Sequence, residues 1–422
     1  MSFTEFLQVR KKLLAAFCLI NFTTGALYVW SILAGPLALK LGAVAGTSYI
    51  SADLAPIFGI ASGLTPFLMI AGGIVNDRFG PKWVIGAGGV TLLVGYALAS
   101  FADSMTELTV AYGVLVGIGT GLVNGCTINT AVKYFPERRG FAGGLVTASL
   151  GIGAATLPFV VQFAIDGFGI DAALLGLCLF SGVVIVPLAM MTRPAPEGFA
   201  EAVTPRHNGQ ATHVVSKNWR GMIATPTFWP LGLFFMTSAT LGLMLLSNAA
   251  GLAQEQIGLT AAAAASAVSI ISIANTAGRF VSGTVSDRLG RVPTLLATLT
   301  VALCGLFCLG NAGTGDTTLF FTGLACVGLC FGAFIGIYPG LVADEYGPAH
   351  NSVNFSILMI GYSVGGMAGP YLMKAGGGAL QDVYFTAAGV ALFGFLCAFV
   401  YLALKRREKR SPALSFTGNR PH

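Results

Sequence analysis

Charge is what this chain has least of. Only 9% of its 422 residues are Asp, Glu, Lys or Arg, against about 25% in ordinary soluble domains, so a water-facing surface for this length cannot be built. A soluble enzyme is excluded. Histidine is scarce too: His207, His213, His350 and His422 all fall in polar segments, where solvated side chains are expected. All eight cysteines lie inside apolar runs, which leaves neither a disulfide framework nor a zinc site and makes them small apolar fillers. No apolar run carries paired carboxylates, a metal-ligand cluster or a Ser/His/Asp set, so no catalysis, metal or cofactor is implied.

What the chain does have is apolar length. It is 55% hydrophobic with 57 glycines and a mean hydropathy of +0.78, and its runs of about 20 apolar residues each suffice to cross roughly 30 Å of hydrocarbon as a helix. Runs near 13–39, 49–75, 83–101, 106–132, 140–165 and 170–191 are followed by runs near 227–252, 262–285, 293–312, 316–343, 352–375 and 381–404. The expected fold is an all-α membrane protein of twelve transmembrane helices in two pseudo-symmetric six-helix bundles, 1–191 and 227–404. Residues 192–226 form a linker and 405–422 a basic tail. Arg10, Lys11 and Lys12 before the first run look like the start of a signal peptide, but the run continues through Leu39, which reads as an uncleaved first span.

The net charge of +6 does not call for nucleic acid, because the cations are sorted by side. With the N-terminus inside, 20 of the 23 Lys and Arg lie in inside segments, while outside loops hold only Lys40 and Lys374. That bias places both termini and the linker in the cytoplasm, in a bacterial inner membrane. The run Lys405, Arg406, Arg407, Lys409 and Arg410 reads as a topology anchor, with anionic lipid as the sharper alternative.

The halves repeat each other. Gly73, Asn76, Asp77, Arg78, Gly80 and Lys82 after span 2 recur as Gly283, Ser286, Asp287, Arg288, Gly290 and Arg291 after span 8, displaced by 210 residues except for the last, displaced by 209. An Asp at a helix end and a Gly/Arg-rich tight turn fit a conformational latch. No Lys-Ser or Lys-Thr pair follows either copy, which speaks against a phosphate loop.

These duplicated Gly-x-x-x-Asp-Arg-x-Gly loops and the 6+6 arrangement resemble the major facilitator superfamily. Tyr28, Trp30 and Ser31, the segment Asn129 to Arg139 with Gly140, then Thr225, Pro226, Phe228, Trp229 and Arg279 more narrowly resemble the oxalate:formate antiporter and monocarboxylate transporter families. The resemblance implies transport of a small organic anion by alternating access. Animal monocarboxylate transporters place an aspartate where this chain has Asn275 and a first-span lysine where it has Trp30. The oxalate exchanger's eleventh-span lysine falls at Tyr362. One cation where the dicarboxylate exchanger has two implies a substrate with one carboxylate.

That cation is Arg279, the one Lys or Arg inside a span. It lies eight residues before Asp287, so about 12 Å in from the helix end, and burying it costs on the order of 3 kcal/mol. A carboxylate recovers that cost through the planar guanidinium fork. The alternative is that Arg279 pairs with helix carbonyls and only holds span 8 in place. Asn275, one turn earlier, shares its face. Further lining candidates are Tyr28 and Trp30 in span 1, Asn124 in span 4, Asn248 in span 7, Tyr338 in span 10 and Tyr362 in span 11, each with helix packing as its plainer reading. Glycines four apart, Gly113, Gly117 and Gly121 in span 4 and Gly365 and Gly369 before Pro370 in span 11, allow helices to approach closely and slide.

The expected function is secondary transport of a small monocarboxylate of the lactate, pyruvate or formate class by a monomer. No Asp or Glu lies deep in a span, so a coupled proton travels with the substrate or through an edge acid such as Asp53. The rivals are an oxalate:formate-type exchanger and a receptor that binds anion without moving it.

Overall fold

The apolar runs fold as helices because a chain in hydrocarbon must satisfy its own backbone. A computed structural model describes residues 3–196, 198, 199, 203, 216–375 and 380–410. Helix α1, Phe3–Ala45, consists of Phe3–Thr24, a 3-10 turn Gly25–Val29 and Trp30–Ala45. Next come α2, Ala55–Phe79, α3, Pro81–Ser100, and α4, Met105–Tyr134, which includes a π-helical stretch at Thr109–Val116. The helix Arg139–Met191 is two spans, α5 (139–168) and α6 (170–191), broken at Gly169 where φ is 84°. In the second half α7, Phe228–Leu246, breaks at Ser247 and Asn248 and resumes as Ala249–Ile257. Then follow α8, Ala261–Leu289, α9, Arg291–Asn311, α10, Thr317–Tyr346, α11, Asn351–Ala375, and α12, Leu380–Arg410.

Among the described residues nine continuous helices are long and apolar enough to cross a membrane, one of them being α5 with α6. The two that fall short, α8 and α11, complete the twelve. They are the more polar helices, carrying Asn275, Thr276 and Arg279 or Asn351, Ser352, Asn354 and Ser356, and they face the other half of the protein: α8 packs on α5 and α11 on α2.

Two helices extend further than hydropathy indicates. The first starts at Phe3 and not near 13, because Phe6 packs between Tyr134 and Phe199 and Arg10 pairs with Glu137 at 2.6 Å. The last continues to Arg410, with Lys405 paired to Glu345. Those two ion pairs bring both ends of the described chain to one face of the protein, here the loop end, which also carries the two duplicated loops. Most of the linker, His207, His213, His422, the tail beyond Arg410 and the side chains of Pro370 and Lys374 lie outside the described residues. His350 is exposed at the loop end.

Glycines set the depth at which α8 is buried. Span α10 carries Gly328, Gly332, Gly336 and Gly340 four residues apart. A Cβ on Gly332 would strike the Asn275 carbonyl, and one on Gly336 or on Gly144 of α5 would strike the Arg279 carbonyl. Small residues at this spacing let backbones touch. Gly332→Leu is therefore expected to cost at least the roughly 1–3 kcal/mol of an overpacked core, read as a lowered thermal midpoint or loss of monodisperse protein. Gly176→Leu on α6, where an added Cβ meets nothing within 4 Å, leaves both unchanged.

Candidate functional site

The close packing of α8 between α5 and α10 presents Arg279 at the centre of the molecule. Its Nε donates to Asn275 Oδ1 at 3.0 Å, and its Nη1 donates across to the other half, to the Thr147 carbonyl of α5, at 2.9 Å. Nη2 has no protein partner among the described residues and is not enclosed. Asn275 is buried, with its Oδ1 held by the arginine and its Nδ2 unpartnered. The ionisable side chains near enough to influence the guanidinium are Tyr362 and Tyr28, and among the described residues no carboxylate is.

Tyr28 and Tyr362 are also near enough to influence each other, so the structure brings α1, α8 and α11 together around Arg279. Tyr28 lies deep among the helices yet keeps 42% of its surface accessible, as a residue bordering an internal space does. It sits on the 3-10 turn Gly25–Val29. Gly25 packs that turn against Gly153 and Ala154 of α5, and the Leu27 carbonyl accepts the Tyr112 hydroxyl at 3.1 Å. Phe58 stands edge-on to Tyr28 with ring centroids 6.2 Å apart, and Phe331 stacks on Tyr362 at 6.0 Å. The result is a cation with an open nitrogen, flanked by two phenols with apolar rings behind them.

Of the other residues expected on the cavity wall, Trp30 and Tyr338 are placed elsewhere. Trp30 is turned into the N-half core, 6% exposed, with its ring 4.5 Å from that of Tyr112; it supports the turn that carries Tyr28. Tyr338 is fully buried, donating to the Leu231 carbonyl at 2.9 Å and packing on Phe235. Asn248 sits at the break in α7 and donates to the Met244 carbonyl and Ser247 Oγ. Asn124 is half-buried on α4 with Oδ1 enclosed and unpartnered. Asp53 is exposed on the turn Ser51–Leu54, where Oδ2 accepts the Ile50 amide at 2.9 Å; it shapes that loop and is not among the groups acting on Arg279. Thr147, Phe58 and Phe331 join the site without having been legible, Thr147 because it contributes only a backbone carbonyl.

At the loop end the duplicated motifs meet helix N-termini of the opposite half. Asp287 accepts the Gly140 and Phe141 amides at 2.9 and 2.8 Å and pairs with Arg291 at 2.5 Å. Asp77 pairs with Lys133 at 2.6 Å and accepts the Val353 amide at 3.4 Å. A carboxylate facing a helix start contributes about 0.3–1 kcal/mol, more when partly buried. Gly80 and Gly290, with φ of 85° and 91°, make the turns that follow, a region that favours glycine. Gly73 lies against Ser352 and Gly283 against Gly140, both too close for a Cβ. Asn76 donates to Ser352 at 2.9 Å, Asn351 to Asn129 at 2.8 Å, and Arg139 pairs with Asp344 at 2.6 Å. Arg78 and Arg288 are exposed. The hydrogen bonds joining the halves thus run from the loop end up to Arg279–Thr147, whereas on the far part of α2 a Cβ added at Gly59 or Gly63 meets nothing. The protein is closed at its loop end.

A family model described as Major Facilitator Superfamily matches residues 12–370 and 240–421. The uncharacterized MFS-type transporter YhjX of Escherichia coli is 30% identical over 82% of this chain and 83% of its own length. The oxalate:formate antiporter of Oxalobacter formigenes is 28% identical over 81% and 79%, and bovine monocarboxylate transporter 13 is 26% identical over 78% and 74%. Among solved structures, the fucose transporter FucP in its outward conformation superimposes with a TM-score of 0.63 at 16% identity, covering 92% of this chain and 98% of that one. The human organic anion transporter MFSD10 does so with 0.65 at 14% identity, covering 92% and 99%. At such identity these two matches speak for the fold.

An uncompensated guanidinium predicts anion binding that depends on its shape. Arg279→Ala is expected to abolish saturable carboxylate binding while the protein still reaches the membrane. Arg279→Lys keeps the charge but loses the planar two-pronged geometry that takes a carboxylate, and should weaken binding at least about tenfold. Titration calorimetry on purified variants checks both, and wild-type affinity in Arg279→Ala would remove Arg279 from the site.

Proposed function

The chain belongs to the Major Facilitator Superfamily, and on that premise we propose that it carries small monocarboxylates of the lactate, pyruvate or formate class across the membrane, with Arg279 as the cation that takes the carboxylate. The observation that carries this reading is a central guanidinium with one uncommitted nitrogen, no carboxylate acting on it and two phenols beside it. Tyr28 and Tyr362 would hold the polar end of the substrate, and Phe58 and Phe331 limit its size. The names of the antiporter and monocarboxylate relatives fit the same class. Tyr362 in place of a second cation favours one carboxylate over two. By the positive-inside rule the loop end faces the cytoplasm of a bacterial cell, and 192–226 is the cytoplasmic linker between the two six-helix units. The monomer suffices, since substrate residues come from both halves of one chain.

Transport then follows from competition for one guanidinium. With the loop end closed, Arg279 spends an N–H on the Thr147 carbonyl of the opposite half. A bound carboxylate offers a stronger, charge-assisted partner, so it can replace that bond and let the halves rock, with the loops around Asp77 and Asp287 acting as latches that release in the alternate state. A proton is the proposed co-substrate, because it leaves with the acid and spares the return step a second charge.

One observation favours exchange instead. The empty carrier must give up Arg279–Thr147 with no anion to replace it, which burdens net flux more than exchange. Proteoliposomes decide the matter. Proton symport predicts that an acid-outside gradient drives lactate accumulation with no internal anion, and that Asp53→Asn lowers it only if Asp53 relays the proton. Accumulation that ignores the gradient and requires internal formate or lactate leaves the exchanger standing, and binding without uptake leaves a receptor. A separate expectation concerns substrate charge: Tyr362→Lys places a second cation across from Arg279 and should raise oxalate affinity relative to lactate in competition assays. An unchanged or lower ratio in a folded variant would undo the one-cation argument.

A further inference from the structure

The two copies of the duplicated loop are not used alike. In the second copy Arg291 turns inward to Asp287 and Asp344, and the next residue, Val292, is 7% exposed. In the first copy Pro81 stands where Arg291 does and the cation comes one residue later: Lys82 lies 5.2 Å over the ring of Trp83, which is 63% exposed. Arg78 in the same loop stacks on exposed Phe79 at 5.2 Å. Pro194, at the start of the linker, packs on Gly80 and brings exposed Arg193 alongside. Three cations therefore surround one turn. The neighbouring carboxylates are committed elsewhere, Asp77 to Lys133 and Glu137 to Arg10.

The position of this cluster along the membrane normal follows from α3. Trp83, Val90, Val94, Leu98 and Phe101 are all exposed, and their spacing of seven, four, four and three residues draws one stripe along the helix. An exposed apolar stripe on a peripheral span faces acyl chains. Trp83 is its last member at the loop end, so its ring marks the hydrocarbon boundary, where tryptophan and lysine anchor spans, and Lys82, Arg78 and Arg193 lie at headgroup level. A zwitterionic headgroup brings its own cation beside its phosphate and adds no net negative charge; a headgroup whose phosphodiester is not balanced by an internal cation supplies what the three side chains lack.

We infer that the turn at Gly80 binds the headgroup of an anionic phospholipid through Arg78, Lys82 and Arg193, with Trp83 seated beside its first acyl carbons. The second loop keeps exposed Arg288 but turns Arg291 inward to Asp287 and Asp344, so it offers one outward cation where the first offers three.

The test uses the full chain in detergent, with phosphatidylglycerol and phosphatidylcholine offered at equal concentration and adducts counted by native mass spectrometry. The site predicts at least about tenfold preference for phosphatidylglycerol, lost in R78Q/K82Q/R193Q and kept in K11Q/R406Q/R407Q, which removes the same charge from elsewhere on that end. Equal adducts of the two lipids in wild type, or equal loss in both variants, overturns the site in favour of general surface charge. If the triple variant does not fold, a chain with Trp83 as its single tryptophan is reconstituted with brominated lipids. Stronger quenching by brominated phosphatidylglycerol than by brominated phosphatidylcholine supports the site, and equal quenching overturns it.

Discussion

A guanidinium at the centre of a membrane protein, with no carboxylate beside it among the described residues, sets the terms for everything around it. Placing Arg279 there costs on the order of 3 kcal/mol, and the surrounding structure recovers part of it with neutral partners: Asn275 one turn below and the Thr147 carbonyl across the interface. Those partners must come close, and so the helices on either side are lined with Gly144, Gly332 and Gly336 where they meet the α8 backbone. The same demand explains why α8 is less apolar than its neighbours. Neutral partners reduce the cost without cancelling the charge, which is the condition an anion site requires.

The loop end answers a different problem, that of joining two bundles reversibly. Each duplicated loop places an aspartate on a helix start of the opposite half, Asp287 on α5 and Asp77 on α11. Such contacts rest on charge and dipole, individually small, which suits the latch role proposed for them. The internal duplication is therefore visible in the atoms that tie the halves together and not only in chain topology. The copies diverge just after the glycine, where Arg291 turns inward to Asp287 and Asp344 while Lys82 lies over exposed Trp83.

Features written into local sequence were legible. Twelve apolar runs, the repeat at 210 residues and a lone arginine one turn after Asn275 all correspond to what the helices do. Features that depend on which way a helix is turned were not. Tyr28 and Trp30 are two residues apart, about 200° around a helix, so both could not line one wall, and it is Trp30 that faces Tyr112. Tyr338 has the residue type of a wall tyrosine but points to Leu231. Thr147 acts through its carbonyl, which every residue possesses. Gly328, Gly332, Gly336 and Gly340 were the missed signal, a four-residue spacing that marks the closest contact of α8. Hydropathy likewise ends the first span at its basic residues, whereas the helix runs on through them because Glu137 pairs with Arg10.

The centre and the loop end are two parts of one interface. Helix α8 carries both Arg279 and Asp287, and helix α5 carries both Thr147 and the amides of Gly140 and Phe141, so the same two helices are tied at two levels about two turns apart. Between the ties Gly283 lies against Gly140 and Gly144 against the Arg279 carbonyl, leaving no slack for one level to separate while the other stays fixed. Separation of α5 from α8 at the loops draws Thr147 from Arg279, and a ligand that takes over the guanidinium removes the inner tie of the pair. In the proposed transport cycle, coupling between an anion at the centre and opening at the loop end then needs no relay of side chains. It follows from two rigid helices whose contacts are hydrogen bonds at either end and glycine in between.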